Sequence, residues 1–352
     1  MVDFVPGLEL ARRYWLEVVE PVLDMESTSS ERAAALIGYG SDVLGFDTEQ
    51  STDHGWGPRL VVFLPDEESG ARAGRLDSRI NEALPESFHG YPTRFAASDG
   101  ESARHQVRLT TVSRFFAAYL GFDPTRGVTT PDWLGAPSQL LRAVTAGAVF
   151  ADGPGQLTEA RQRLAWYPDE LWVYLLGCQW RRLDQEEPFV GRCHQVGDDL
   201  GATVITARLV RDLIRLCFLI ERQYAPYSKW LGTAFSRLDC AARLAPVLHD
   251  AISGATWSQR EQALALAFEH VAGLFNGLGL VEPQAPTMRP FYDRPFRVLG
   301  SGRFAESCLA ATTVDTLGLA GAIDQFIDST DILADPQPQH RLRECFWPPA
   351  QA

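Results

Sequence analysis

The chain has 352 residues and a net charge of −13, with 45% hydrophobic and 22% charged residues. That length buries one large core or two modest ones. The acidic balance argues against a nucleic-acid backbone as the main partner, because a phosphate-tracking surface needs a basic excess.

No apolar run approaches the roughly 20 residues needed to span a bilayer. The N-terminus, with Asp3 and Glu9 and no long apolar stretch, does not read as a signal peptide. Cys178, Cys193, Cys217, Cys240, Cys308 and Cys345 are widely spaced with no CxxC pair, so reduced cytoplasmic thiols are expected and structural zinc is not.

In chain order, residues 8–24 carry Leu8, Arg12, Trp15, Val19 and Val22 at helical spacing. Ala33–Gly38 is a short apolar run bounded by glycine, a candidate buried strand. A polar stretch from Gly40 to Gly57 follows, and after Pro58 the run RLVVFL, residues 59–64, reads as a second strand. Residues 70–84 fit a helix, QVRLTTV at 106–112 a third strand, and Val112–Leu120 a helix. From about residue 130 the pattern turns helical. Leu140–Phe150 is apolar and small; Glu170–Leu183, Ala202–Tyr224, Lys229–Leu238 and Gln259–Leu278 have buried-face spacing. Pro283 to Pro295 marks a break. The reading divides the chain at 1–128, 129–282 and 283–352: a strand-and-helix domain, a helical domain and a C-terminal extension packing on the rest.

The most informative stretch runs from Gly40-Ser41-Asp42 through Gly45, Asp47 and Glu49 to Asp53. A strand feeding a Gly-Ser turn exposes backbone N–H groups that hold phosphate oxygens. A carboxylate about twelve residues on, just before a second strand, can hold Mg²⁺ opposite that turn. Nucleotidyl transfer needs that pairing, a metal neutralising the triphosphate while a hydroxyl attacks in line. An acidic surface loop is the plainer reading of the same residues. A dinucleotide-binding turn fails, because the next glycine position after Gly38-x-Gly40 is Val43.

The segment GSDVLGFDTEQSTDHGWGPRLVVFL resembles the Gly-Ser…Asp signature of the nucleotidyltransferase superfamily, which includes the aminoglycoside adenylyltransferases. More narrowly, the chain resembles the DUF4037 family, also through WLGAPSQLLRAVTAGAVF within residues 129–150, EPFVGRCHQVGDDLGATVITARLVRDLIRLCFLIERQY at 187–224 and PYSKWLGTAF at 226–235. The resemblance covers most of residues 4–335. It implies an α+β chain, with an N-terminal nucleotidyltransferase-like mixed sheet with helices followed by a C-terminal helical-bundle domain. It also implies Gly40 and Ser41 at the phosphates of an NTP, Asp53 on Mg²⁺, and Lys229 reaching the nucleotide from the helical domain. Lys229 is the chain's single lysine; its plainer reading is a solvated amine with its stem against Trp230.

Two departures stand out. The superfamily pairs two acidic residues separated by one, and here Gly55 stands two positions after Asp53. The later strand that commonly carries a third carboxylate offers Arg108 and Thr110. Asp42 is a substitute metal ligand, His54 and Glu49 are candidate bases beside Asp53, and Asp47, Arg59, Arg108 and Tyr227 are further cleft candidates. Arg208, Arg211, Arg215 and Arg222 form a stripe that could line the cleft toward an anionic substrate, though its plainer reading is solvated or paired with Asp212; Asp198 and Asp199, with Arg192 nearby, read as a helix-end salt bridge or cap rather than catalytic groups.

The expectation is a Mg²⁺-dependent enzyme moving a nucleotidyl group from an NTP, ATP foremost, to a small-molecule hydroxyl. The alternatives are a degenerate scaffold used for metal-independent chemistry or metabolite binding, and a non-enzymatic nucleotide sensor or partner-binding protein. The expected partner is a small-molecule substrate, with no nucleic acid and no membrane.

Overall fold

The computed structural model describes residues 4–25, 31–53, 55–65, 70–96, 100–314 and 321–346. Two compact units form. The first holds residues 1–132, 139–165 and 334–340; the second holds 133–138, 166–333 and 341–352.

In the first unit, α1 (Gly7–Tyr14) and α2 (Glu20–Asp24) are joined through a π turn at Trp15–Val19. Pro21 follows the turn after one residue and has no N–H to give the carbonyl four residues back. Leu10, Tyr14, Trp15, Val19 and Leu23 are fully buried along one side. A five-stranded mixed sheet receives them. Its strands are β1 (Ala33–Leu36), β2 (Arg59–Phe63), β5 (Arg94–Phe95), β6 (Arg104–Thr110) and β7 (Ala148–Asp152), in the order β5-β6-β2-β1-β7. A small hairpin of β3 (Ser87–Phe88) and β4 (Tyr91–Pro92) stands apart from it.

β1 runs antiparallel to β2, with Ala35 opposite Val61, and β2 runs parallel to β6, with Arg59 opposite Gln106. Side chains alternate across a strand, so this register decides two faces. Leu60, Val62, Leu64, Val107 and Leu109 pack in one core cluster with Leu10 and Tyr14 and with Leu76 and Ile80 of α4 (Ala71–Ala83). Arg59, Val61, Phe63, Gln106 and Arg108 take the other face, where Phe63 meets Phe115 of α5 (Val112–Leu120) at a centroid distance of 5.3 Å.

The stretch 140–150, read as one apolar segment, is divided. After α6 (Thr130–Gly135), α7 (Ser138–Thr145) stops before Gly147, and β7 then runs antiparallel to β1. Gly147 is left-handed, and a Cβ there would collide with the Leu36 carbonyl. α8 (Gln156–Arg163) closes the unit, with Arg161 donating to the carbonyls of Val144, Thr145 and Ala146 at the end of α7.

The second unit is helical. Its main elements are α9 (Asp169–Glu186), α10 (Phe189–Gln195), α11 (Asp199–Ile220), α12 (Leu231–Phe235), α13 (Ala241–Ser253), α14 (Trp257–Gly277) and α15 (Gly302–Ala310). α9 packs against α11 and α15, and α13 against α14. Trp180 lies on Phe304 at 4.5 Å and 23°, and Gly177 lets α15 come close, since a Cβ there would stand 2.8 Å from the Cys308 Cβ. Asp198 caps α11 by accepting from the Gly201 N–H at 2.8 Å, as its position before the helix predicts. The chain is thus α+β, with a mixed sheet first and helices after it. Among the described residues, no helix is long and apolar enough to cross a membrane.

Candidate functional site

The Gly-Ser turn leaves the end of β1, and Arg59 begins its antiparallel neighbour β2, so both lie at one end of the sheet. Ser41–Leu44 forms a single helical turn, α3, which ends at left-handed Gly45; the Phe46 N–H returns to the Ser41 carbonyl at 2.8 Å. The polar stretch that follows includes a 3-10 turn at Glu49–Asp53.

Asp42 is buried, with 1% of its surface exposed. Arg59 grips it with two parallel bonds, Nε to Oδ2 at 3.0 Å and Nη2 to Oδ1 at 2.6 Å, and also donates to the Tyr39 carbonyl at 2.8 Å. The Val43 N–H adds a bond to Oδ1 at 2.9 Å. A forked guanidinium suits a carboxylate in this way, and each charge-assisted bond exceeds a neutral one in strength. Gly40 serves the same clamp. Its φ is +138°, and a Cβ would run into Asp42 Oδ1 and the Arg59 guanidinium. The glycine that the sequence assigns to phosphate approach is therefore also required by an internal ion pair.

Asp47 is tied into the fold as well, its Oδ2 accepting from the Gly7 N–H at 2.7 Å and from Trp56 Nε1 at 3.1 Å. Glu49 and Asp53 are exposed. His54 lies outside the described residues. Ser41 is half-buried. Arg108, exposed, reaches over the rings of Phe115 and Tyr119 at 5.8 and 6.0 Å. Tyr119 in turn meets Tyr39 at 5.0 Å. The Tyr39 hydroxyl donates to the Ala334 carbonyl at 2.6 Å and is pushed up to about 12 by burial, with Tyr119 and Asp335 adding to the effect, so it is a neutral phenol at pH 7.

Lys229 and Tyr227 belong to the second unit, in and just before the 3-10 turn Ser228–Trp230. Lys229 Nζ stands 5.0 Å from the Trp230 ring centre, with its side chain in solvent, and Tyr227 is partly exposed. The arginine stripe is paired: Arg208 with Glu186, Arg211 with Asp328, Arg215 with Asp324 and Arg222 with Asp169. Asp212, buried, takes Arg182 at 3.1 Å.

Among the described residues, no group of three or more His, Cys, Asp or Glu side chains could hold a metal ion. Magnesium needs open oxygen ligands, and here both oxygens of Asp42 face donors while Asp47 is held by an N–H and an indole. Asp42 and Asp47 are therefore engaged within the fold, and Glu49 and Asp53 are the exposed carboxylates among the described residues of this stretch. Two arginines also reach this end. Arg59 and Arg108 share the α5 face of two adjacent parallel strands, two residues apart in register. Arg108 and the missing acid at Gly55 were legible as departures; the Arg59–Asp42 pairing was not, since nothing local marks two residues 17 apart as partners.

Residues 133–231 match DUF4037, a domain of unknown function. No curated protein matches the chain. The DUF4037 segment begins in α6 and ends at Leu231, so it includes Tyr227 and Lys229 and leaves out the Gly-Ser turn, Asp53 and Arg108. Residues 40–64, on which the nucleotidyltransferase expectation rests, lie outside the matched segment.

Proposed function

We propose that this chain is a nucleotidyltransferase-like scaffold that binds a small phosphorylated metabolite through arginine, without a metal cluster. The observation that carries this reading is the pair Arg59 and Arg108 on one sheet face at the end where the Gly-Ser turn emerges. Guanidinium groups present forked donors to phosphate oxygens and keep their charge at any working pH. Arg59 is already oriented by Asp42, so little side-chain freedom is lost when an anion meets its remaining N–H groups. The exposed rings of Tyr39 and the cation–π stack of Arg108 on Tyr119 give the ligand's apolar part a wall.

The test is calorimetric titration of the four NTPs, their diphosphates and sugar phosphates, each with Mg²⁺ and with EDTA, alongside a pyrophosphate-release assay. Binding that survives EDTA and is lost in Arg108→Ala supports the proposal. A second reading, Mg²⁺-dependent nucleotidyl transfer, draws on the exposed carboxylates Glu49 and Asp53 beside β2. Pyrophosphate release that needs Mg²⁺ and Asp53 would establish it and overturn the first; no binding by any phosphorylated compound would overturn the first as well.

A further inference from the structure

The outer strand β5 pairs with β6 only at Arg104 and His105. Beyond them, among the described residues, 106–110 form a free edge of the sheet. The Thr110 carbonyl faces inward, accepting from the Leu64 N–H at 2.8 Å. Backbone groups alternate along a strand, so the N–H and C=O groups of Val107 and Leu109 point outward. Among the described residues nothing pairs with them.

These groups open on a groove of about 590 Å³ between β6 and one side of α4. The α4 wall is made of short side chains, Ala73, Gly74, Asp77, Ser78 and Asn81. The space a Cβ would take at Gly74 is empty, although a mid-helix glycine weakens a helix by up to about 1 kcal/mol. His105 also lines the groove. Its side chain is 8% exposed, Nε2 lies 3.3 Å from Asp77 Oδ1, and Nδ1 is buried with no partner among the described residues. Across the strand, Arg104 and Arg108 are exposed at alternate positions, and among the described residues neither has a carboxylate partner.

We propose that this groove docks an extended acidic peptide of a partner protein, which adds to β6 as a further strand. An open strand edge beside a helix supplies the main-chain bonds of strand addition. The alternation of the added strand would set Glu or Asp beside Arg108 on the α5 face, near Arg104 where β5 ends the open edge, and small apolar residues beside Leu109 and α4 on the other. Charge selects an acidic segment over a second copy of β6, because antiparallel pairing of two β6 edges around Arg108 would put like charges together.

The probe is a short fluorescein-labelled peptide of alternating Glu and Val, read by anisotropy. Saturable binding is expected, about tenfold weaker when Lys replaces Glu, and absent when alternate backbone nitrogens are methylated. Gly74→Leu should fill the groove and remove binding while leaving the melting temperature unchanged or raised. Gly74→Leu should leave metabolite binding in place while Arg108→Ala weakens both, which separates this groove from the metabolite site. Failure of the Glu peptide to saturate, or binding indifferent to backbone methylation or to Gly74→Leu, overturns the proposal.

Discussion

Removing Arg59 should be the most damaging single change in the Gly-Ser turn. In Arg59→Ala, Asp42 keeps the Val43 N–H and loses both guanidinium bonds, at 3.0 and 2.6 Å, while the Tyr39 carbonyl loses its donor. Breaking a buried pair from one side costs about 3–5 kcal/mol, because a charge is left without compensation. The Arg59 side chain is 21% exposed, so water screens part of this, and about 2–4 kcal/mol is expected. Urea denaturation followed by a probe in the first unit measures it. The decisive comparison is a double-mutant cycle with Asp42→Asn, which keeps an acceptor for Val43 and removes the charge. Arg59→Ala in the Asp42→Asn background should cost at least about 1 kcal/mol less than in the parent. Additive costs, or a loss below about 1 kcal/mol for Arg59→Ala alone, would refute the claim that the clamp holds this turn.

Other substitutions follow from the same geometry. Gly40→Ala should destabilise the first unit and abolish ligand binding together, since its Cβ collides with the Asp42–Arg59 pair at a φ of +138°; calorimetry and melting on one sample check both. Glu187 accepts from the N–H of Ser301 at 3.1 Å and its hydroxyl at 3.0 Å, and from the N–H groups of Leu299 and Gly300. Glu187→Ala should cost about 2–4 kcal/mol by leaving those buried donors unmet, seen as a lower urea midpoint of the second unit. Burial raises the Glu187 carboxyl above its ordinary value despite these bonds. The folded state therefore holds that proton more tightly, and Glu187 should favour the fold more as pH falls through the raised value. Glu9 is the opposite case. Hydrogen bonds from Arg12 and then Arg13 lower it from 4.5 to about 2, so its contribution is complete above 4.5 and fades as pH drops toward 2. Carboxyl NMR titration of Glu9 reads the value directly, and Glu9→Gln should flatten the acid limb only slightly, because the group faces solvent.

Local chemistry alone determined the long helices and the strands β1, β2 and β6, and left β3, β4 and β5 unread. Glu170–Leu183, Ala202–Tyr224 and Gln259–Leu278 show their buried faces in the sequence, since a 3.6-residue period is carried by near neighbours. Asp198 marked its own cap, and Thr256 with Gln259 forms a capping box at the start of α14. α13 was harder to read because Pro246 stands inside it. β7 was hidden for a different reason: five half-buried residues become a strand only by meeting β1 from more than a hundred residues away. In the Gly-Ser stretch the sequence determined which residues carry charge and where a turn must fall. Tertiary structure decided what each charge does. Asp42 and Asp47 sit in the same polar segment as Asp53, yet folding gives the first to Arg59 and the second to Gly7 and Trp56, and leaves Asp53 in solvent. A carboxylate is a metal ligand, an ion-pair partner or a helix anchor according to which donors pack around it, and those donors come from distant parts of the chain.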